Sequence, residues 1–194
     1  MHDPYKQNVY LCRHGETIWT LSGQHTSFTD LPLTQNGRHH SSFLSIELEG
    51  HSFAAVFVSP SQRAQTTCEL AKLMDKATID ADLAEWHYGE YEGMTTPEIR
   101  RDNPEWSIFT HGAPGGESPA QVTARADRMI AKIRAIEGDV ALFSSGHFSR
   151  ALAARWLGLP IEVARHFQLF IASLSILAYE REVSTIKLWN KNSE

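Results

Sequence analysis

LCRHGETIWTLSGQHTSFTDLPLT, Leu11 to Thr34, begins inside an apolar run and changes character within two residues. Val9-Tyr10-Leu11-Cys12 reads as a buried strand, yet Arg13, His14, Gly15 and Glu16 follow with no polar spacer. A cation at the end of a buried strand is costly to desolvate unless opposite charge meets it. Two further strands end in a similar way. Ala54 to Val58 stops at Ser59-Pro60, with Arg63 one turn on, and Val140 to Phe143 stops at Ser144-Ser145-Gly146-His147.

The segments between these strands read as helices. Thr34 can cap a helix running to about Leu48, with Gly50 just past its end, and a second runs from about Ser61 to Met74. Ser118, Pro119 and Gln121 form a capping-box start. Val122, Ala126, Met129, Ile130, Ile133 and Ile136 follow at helical spacing. Ser149 to Leu157 reads as another helix and Pro160 can open a short one. Thr78 to Asp80, Ser173 to Tyr179 and Thr185 to Trp189 read as strands, the last two around Glu180-Arg181-Glu182. Met94 to Ser118, with Pro97, Pro104, Pro114 and the run Gly112 to Gly116, reads as a loop-rich cap over about 94–118 of a single domain, 1–194. Alternating strands and helices favour an α/β sheet covered on both faces, with ligands at the carboxyl ends of its strands.

Composition bounds the partners. The chain has 194 residues, 42% hydrophobic and 21% charged, with a formal net charge of -5. Broad nucleic-acid or anionic-membrane binding favours a basic surface, so neither is expected. Met1-His2-Asp3-Pro4 shows no secretory signal and no run is long enough to span a bilayer. With Cys12 and Cys68 as the two cysteines, the chain reads as cytoplasmic with reduced thiols. Cys12 reads as a small apolar strand residue rather than a reactive thiol.

Two arginines and two histidines at one sheet edge call for an anion, and a phosphate fits. Guanidinium forks match its oxygens, and Arg63 lies near a helix N-terminus. A neutral imidazole can attack phosphorus, giving a phosphohistidine and dividing one displacement into two. The arginines and the second histidine would stabilise charge on the transferring group. The leaving alkoxide needs a proton. In LAEWHYGEYEG, Leu83 to Gly93, Glu85 sits beside Trp86 and Tyr88, where a carboxyl near a phosphate dianion favours its protonated form. Glu90 and Glu92 read as solvated charges in a Gly-punctuated loop. His39 and His40 are adjacent on a helix and cannot share a face, so they read as surface rather than metal ligands. Arg155 reads as solvated, and Arg150 either extends the anion site or does not reach it.

Four blocks in this order resemble the histidine phosphatase superfamily, the phosphoglycerate mutase-like family. They are Arg13-His14-Gly15-Glu16-Thr17, Ser59 to Thr66, Glu85 to Gly93, and Ser145-Gly146-His147. The resemblance implies a three-layer α/β/α sandwich with a mostly parallel central sheet. It implies His14 as the phosphorylated nucleophile, Arg13, Arg63 and His147 around the phosphate, and Glu85 as acid and then base, with no metal or other cofactor. Ser22 to Thr34 and Glu85 to Met94 are similar to the family's sugar-phosphate phosphatases of the sedoheptulose-bisphosphatase type. That likeness implies a small phosphorylated substrate facing Gln24, His25 and Thr26, with Tyr88 across the pocket. Thr17, Thr20, Gly23, Gly146 and Phe148 join the implied substrate-binding set. Mutases of the family usually carry Asn where this chain has Thr20, which weighs against a phosphoglycerate mutase. A catalytically silent phosphate-binding module has no need of the full set of Arg13, His14, Arg63, Glu85 and His147.

Overall fold

The computed structural model describes residues 4–193, so Met1-His2-Asp3, on which the targeting reading rests, lies outside the described residues. In chain order the elements are β1 (Val9–Arg13), α1 (Ile18–Ser22), α2 (Gln35–Ser41), α3 (Phe43–Glu47), β2 (Ala55–Val58), α4 (Gln62–Leu70) and β3 (Ala77–Ile79). There follow α5 (Thr96–Asp102), α6 (Ile108–His111), α7 (Pro119–Arg134), β4 (Val140–Ser144), α8 (Gly146–Trp156), β5 (Leu174–Glu180) and β6 (Val183–Lys191). The strands form one six-stranded sheet in the order β3-β2-β4-β1-β5-β6. The first four are mutually parallel, and β5 runs antiparallel to both β1 and β6.

Alternation within the strands builds two cores. Val9 and Leu11 of β1 and Val140 and Leu142 of β4 pack with Val122, Met129 and Ile133 of α7 and Leu152 of α8. Tyr10, Cys12, Ala141 and Phe143 point the other way, to Leu44 of α3 and Ala64 and Cys68 of α4. Strands buried on both faces read as unbroken apolar runs, as these do. This is the α/β/α sandwich. Cys12 is buried, and burial with Cys68 nearby pushes its thiol pKa up, so it is a packing residue.

The long helix after Thr34 is bent into α2 and α3 at Ser42. Gly15 and Gly37 explain how closely α2 approaches the first strand's end. A Cβ on Gly15 would lie 2.6 Å from the Gly37 carbonyl oxygen, and one on Gly37 would run into Glu16. Gly15 therefore serves the close contact with α2.

Several boundaries differ from the sequence reading, α4 ending at Leu70 rather than about Met74 and β6 starting at Val183 among them, and two differences bear on the site. The 94–118 segment contains α5 and α6 instead of loop alone, because Thr95 and Glu98 form a capping box that tolerates Pro97 in the first turn. Ile99, Trp106, Ile108 and Phe109 of this segment lie in the core, so it is not a detachable flap. Helix α8 starts at Gly146, not Ser149, because its first amides are capped by a side chain distant in sequence.

Gly37→Ala should overpack the contact with Glu16 and cost about 1–3 kcal/mol. Urea unfolding should show a lowered midpoint with unchanged slope; an unchanged midpoint would mean that the helix moves away freely.

Candidate active site

The parallel register brings the polar strand ends together. Arg13 pairs with Ser144 across β1 and β4, and the His14 amide donates to the Ser144 carbonyl at 3.0 Å. The residues after β4 therefore sit beside those after β1. On the far side, Ala172 N–H donates to the His14 carbonyl, also at 3.0 Å.

His14 is held in one tautomer. Its Nδ1 lies 2.8 Å from the Gly15 carbonyl oxygen. A carbonyl only accepts, so Nδ1 carries the proton and Nε2 presents its lone pair. Arg63 Nε donates to that Nε2 at 3.3 Å. His14 is buried, and burial, then the charges of Arg63 and Arg13, hold its pKa well below the usual imidazole value; the Gly15 hydrogen bond partly opposes this.

Arg63, 1% exposed, stands in the first turn of α4. Its other donors reach the Thr26 carbonyl at 3.1 Å and those of Ser27 and Thr29 at 3.4 Å. The helix start is capped by Asp30, which accepts from Gln62 N–H at 2.8 Å. Arg13 Nη1 donates to the Leu169 carbonyl, while its buried Nε has no partner among the described residues. Gly146 packs on that guanidinium; a Cβ there would lie 3.1 Å from Arg13 Cζ.

Glu85 joins the group from the loop after β3. Its carboxylate accepts from the amides of Trp86 and Phe148 at 2.8 Å and of His147 at 3.0 Å. The last two are the free N–H groups of α8's first turn, which favour a negative charge. This is the cap that no local pattern around Ser145 could reveal. Ser144 Oγ donates to the Leu83 carbonyl at 2.7 Å and fixes the same loop.

A cavity of about 220 Å³ opens over these groups. Arg13, His14, Glu85, Gly146 and His147 line its floor, and Thr20, Gly23, Gln24, His25, Thr26 and Tyr88 its walls. Arg63 meets it through His14. Arg150 also lines it. Its donors reach the Ala164 and Arg165 carbonyls at 3.0 Å, and burial, then Arg13, lower its pKa to about 10. A neighbouring cavity of about 540 Å³, with Phe28, Pro60 and Ala84 in its wall, shares only Glu85 with the first.

Two residues expected at the substrate lie elsewhere. Thr17 is fully buried as the N-cap of α1, in a capping box with Thr20. The Phe148 side chain is buried beneath the Arg125 guanidinium, 4.4 Å from its centroid; its backbone amide alone serves the site. Glu92 is a structural anchor, not a solvated charge, taking hydrogen bonds from Ser27 and Thr29. Burial raises its pKa, but those bonds outweigh it and hold the carboxyl low. Glu90 is exposed, as are His39 and Arg155's partner Asp127.

The sequence reading missed Trp19, Thr96 and Leu169, which line the cavity, and Arg125. Arg125 donates to the carbonyls of Asp82 and Ala84 at 2.8 and 2.6 Å and pairs with Glu117 at 2.8 Å, clamping the Glu85 loop. Its position three residues after Val122, on the apolar face of α7, was the available signal.

Fold and site together define an α/β enzyme whose strand ends hold an anion-receptive, histidine-floored pocket. The family model for the histidine phosphatase superfamily (branch 1) matches residues 9–192. The chain belongs to that superfamily and is a phosphatase of the histidine type. An acid phosphatase of Mycobacterium tuberculosis is 43% identical over 90% of this chain and 88% of its own length. A sedoheptulose 1,7-bisphosphatase of Saccharomyces cerevisiae is 36% identical over 78% of this chain and 68% of its own. A solved structure of a Mycobacterium tuberculosis open reading frame superposes with a TM-score of 0.91 at 38% identity, covering 97% of this chain and 99% of that one.

Because its pKa is depressed, His14 stays neutral where an ordinary histidine gains a proton near pH 6.5. In selectively labelled protein its ring signals should remain those of the Nδ1–H tautomer from about pH 8 to about pH 5.5. A titration centred near pH 6.5 would contradict this electrostatic account.

Proposed function

We propose that the chain hydrolyses monoesters of small, polyhydroxylated phosphates, sugar phosphates above all, through a phosphohistidine on His14. The observation that carries this is the unprotonated Nε2 of His14, which accepts from Arg63 Nε at a cavity lined by His14, Arg13 and His147. An incoming phosphoryl group takes the arginine donors onto its oxygens and frees Nε2 to attack. The Nε2–P bond forms as the bond from phosphorus to the leaving oxygen breaks. Glu85, on the cavity floor, is the group that supplies a proton to that oxygen. In the second step Glu85 takes a proton from water, water oxygen attacks phosphorus, the N–P bond breaks and phosphate leaves. Arg13, Arg63 and His147 stabilise the equatorial oxygens in both steps.

The charge of two guanidinium groups does the work a metal ion would otherwise do, so the reaction is read as metal-independent. The walls favour a hydroxyl-rich substrate: Thr20, Gln24 and Thr26 are neutral hydrogen-bonding side chains. A cavity of about 220 Å³ suits a small molecule. The similarity to a sedoheptulose 1,7-bisphosphatase supports the same class. Arg150 adds a further cation on the cavity wall. Among the described residues no helix is long and apolar enough to cross a membrane, and buried, free Cys12 and Cys68 fit a reducing cytoplasm.

His14→Ala should lower kcat about 10³-fold or more and abolish an acid-labile phosphoenzyme. Retained turnover would overturn the nucleophile. EDTA should leave the rate unchanged, and a rate restored only by added metal would overturn the metal-free reading. A panel of sugar phosphates, polyol phosphates, phosphorylated acids and phosphopeptides should give its highest kcat/KM with a sugar or polyol phosphate, with no mutase turnover of 3-phosphoglycerate.

A further inference from the structure

We propose that Tyr88 is a positioning residue whose hydroxyl donates to Nδ1 of His147, fixing His147 as the Nε2–H tautomer that presents a donor to the phosphoryl group. The inference rests on His147 as a ligand of that group. Tyr88 is buried, and its hydroxyl lies 2.5 Å from His147 Nδ1. Burial, then the charges of Arg150, His25 and Arg13, hold the His147 pKa well below its usual value. Burial and Glu85 push the Tyr88 pKa well above 10, against the opposing arginines. Phenol and imidazole are therefore both neutral at working pH.

A neutral imidazole has one N–H and one lone pair. If Nδ1 carried the proton, it would donate to the Tyr88 oxygen and leave the phenolic hydrogen to find another acceptor in a buried site. Nε2 would then offer a lone pair where anionic oxygens arrive. The opposite arrangement satisfies both demands: the phenol donates to Nδ1, and Nε2–H is left to donate. Among the described residues no carbonyl performs for His147 the service that Gly15 performs for His14, so the two rings carry their protons on opposite nitrogens. His14 keeps Nε2 bare for attack; His147 keeps Nε2 protonated for binding.

Both partners are held in place. The His147 backbone amide donates to Glu85, and its ring meets Phe109 edge-on at 5.3 Å. The Tyr88 ring stacks on His25 at 4.7 Å with 27° between the planes. His25 Nε2 in turn lies 3.2 Å from Thr96 Oγ1 of α5, and its amide donates to the Met94 carbonyl at 2.8 Å. The 94–118 segment thereby sets the tyrosine that sets the histidine.

Tyr88→Phe keeps the ring stack and removes the donor. Nitrogen-15 shifts of selectively labelled His147 should report Nε2–H in the wild type and a mixture in Tyr88→Phe. The variant's kcat should fall about 10- to 100-fold with little change in KM. In a His147→Gln background the same change should leave kcat unaffected. A protonated Nδ1 in the wild type would overturn the proposal even if the variant failed to fold. So would an unchanged tautomer in the variant, or a raised KM with kcat intact, which would mark a plain substrate contact. Loss of activity in His14→Ala bears only on the nucleophile and leaves these tautomer readouts independent.

Discussion

Buried positive charge without a matching anion governs this structure. Arg13, the last residue of β1, lines the cavity together with Arg150, and buried Arg63, in the first turn of α4, meets it through His14. Glu85 is the carboxylate among the residues lining that cavity. Such an arrangement is unfavourable by Coulomb repulsion and by desolvation, and burial lowers the pKa of all three arginines. The fold tolerates it by supplying carbonyl acceptors from Thr26, Ser27, Thr29, Leu169, Ala164 and Arg165. Partial charges fix the guanidinium groups without neutralising them. What remains unsatisfied, including Arg13 Nε, is a site prepared for an anion before the anion arrives.

The same field sets the state of the histidines. Burial makes an imidazole lose its proton more readily, and the nearby cations add to that effect for both His14 and His147. A neutral His14 is a nucleophile, where a protonated one would be a further cation. The arginines thus bind the phosphoryl group and keep its attacker unprotonated. Glu85 meets the opposite need: three amide donors hold it in place, at the point where a proton must pass to the leaving group.

How far the sequence foretold this follows from where each contact lies along the chain. Strand ends were legible, since β1 and β4 are buried on both faces, β2 on one with the other half-buried, and all three break sharply at polar residues. The Arg13, His14, Arg63 and His147 group followed from those breaks and from the parallel topology. Contacts between distant residues were not legible. The cap of α8 comes from Glu85, which lies 62 positions from His147. Glu92 looked solvated because Ser27 and Thr29, its partners, belong to another loop. The α5 helix was hidden because Pro97 reads as a breaker unless Thr95 and Glu98 are recognised as its capping box. Thr17 and Phe148 neighbour the chemistry in sequence, but the turn of α1 and the inward face of α8 point their side chains into packing.

A crystal of the protein soaked with vanadate tests the central claim most directly. The account predicts a five-coordinate vanadium bonded to Nε2 of His14, its equatorial oxygens held by Arg13, Arg63 and His147, and its opposite apical oxygen facing Glu85. Vanadate bound in the cavity but away from Nε2, or with its apical oxygen turned from Glu85, would contradict it.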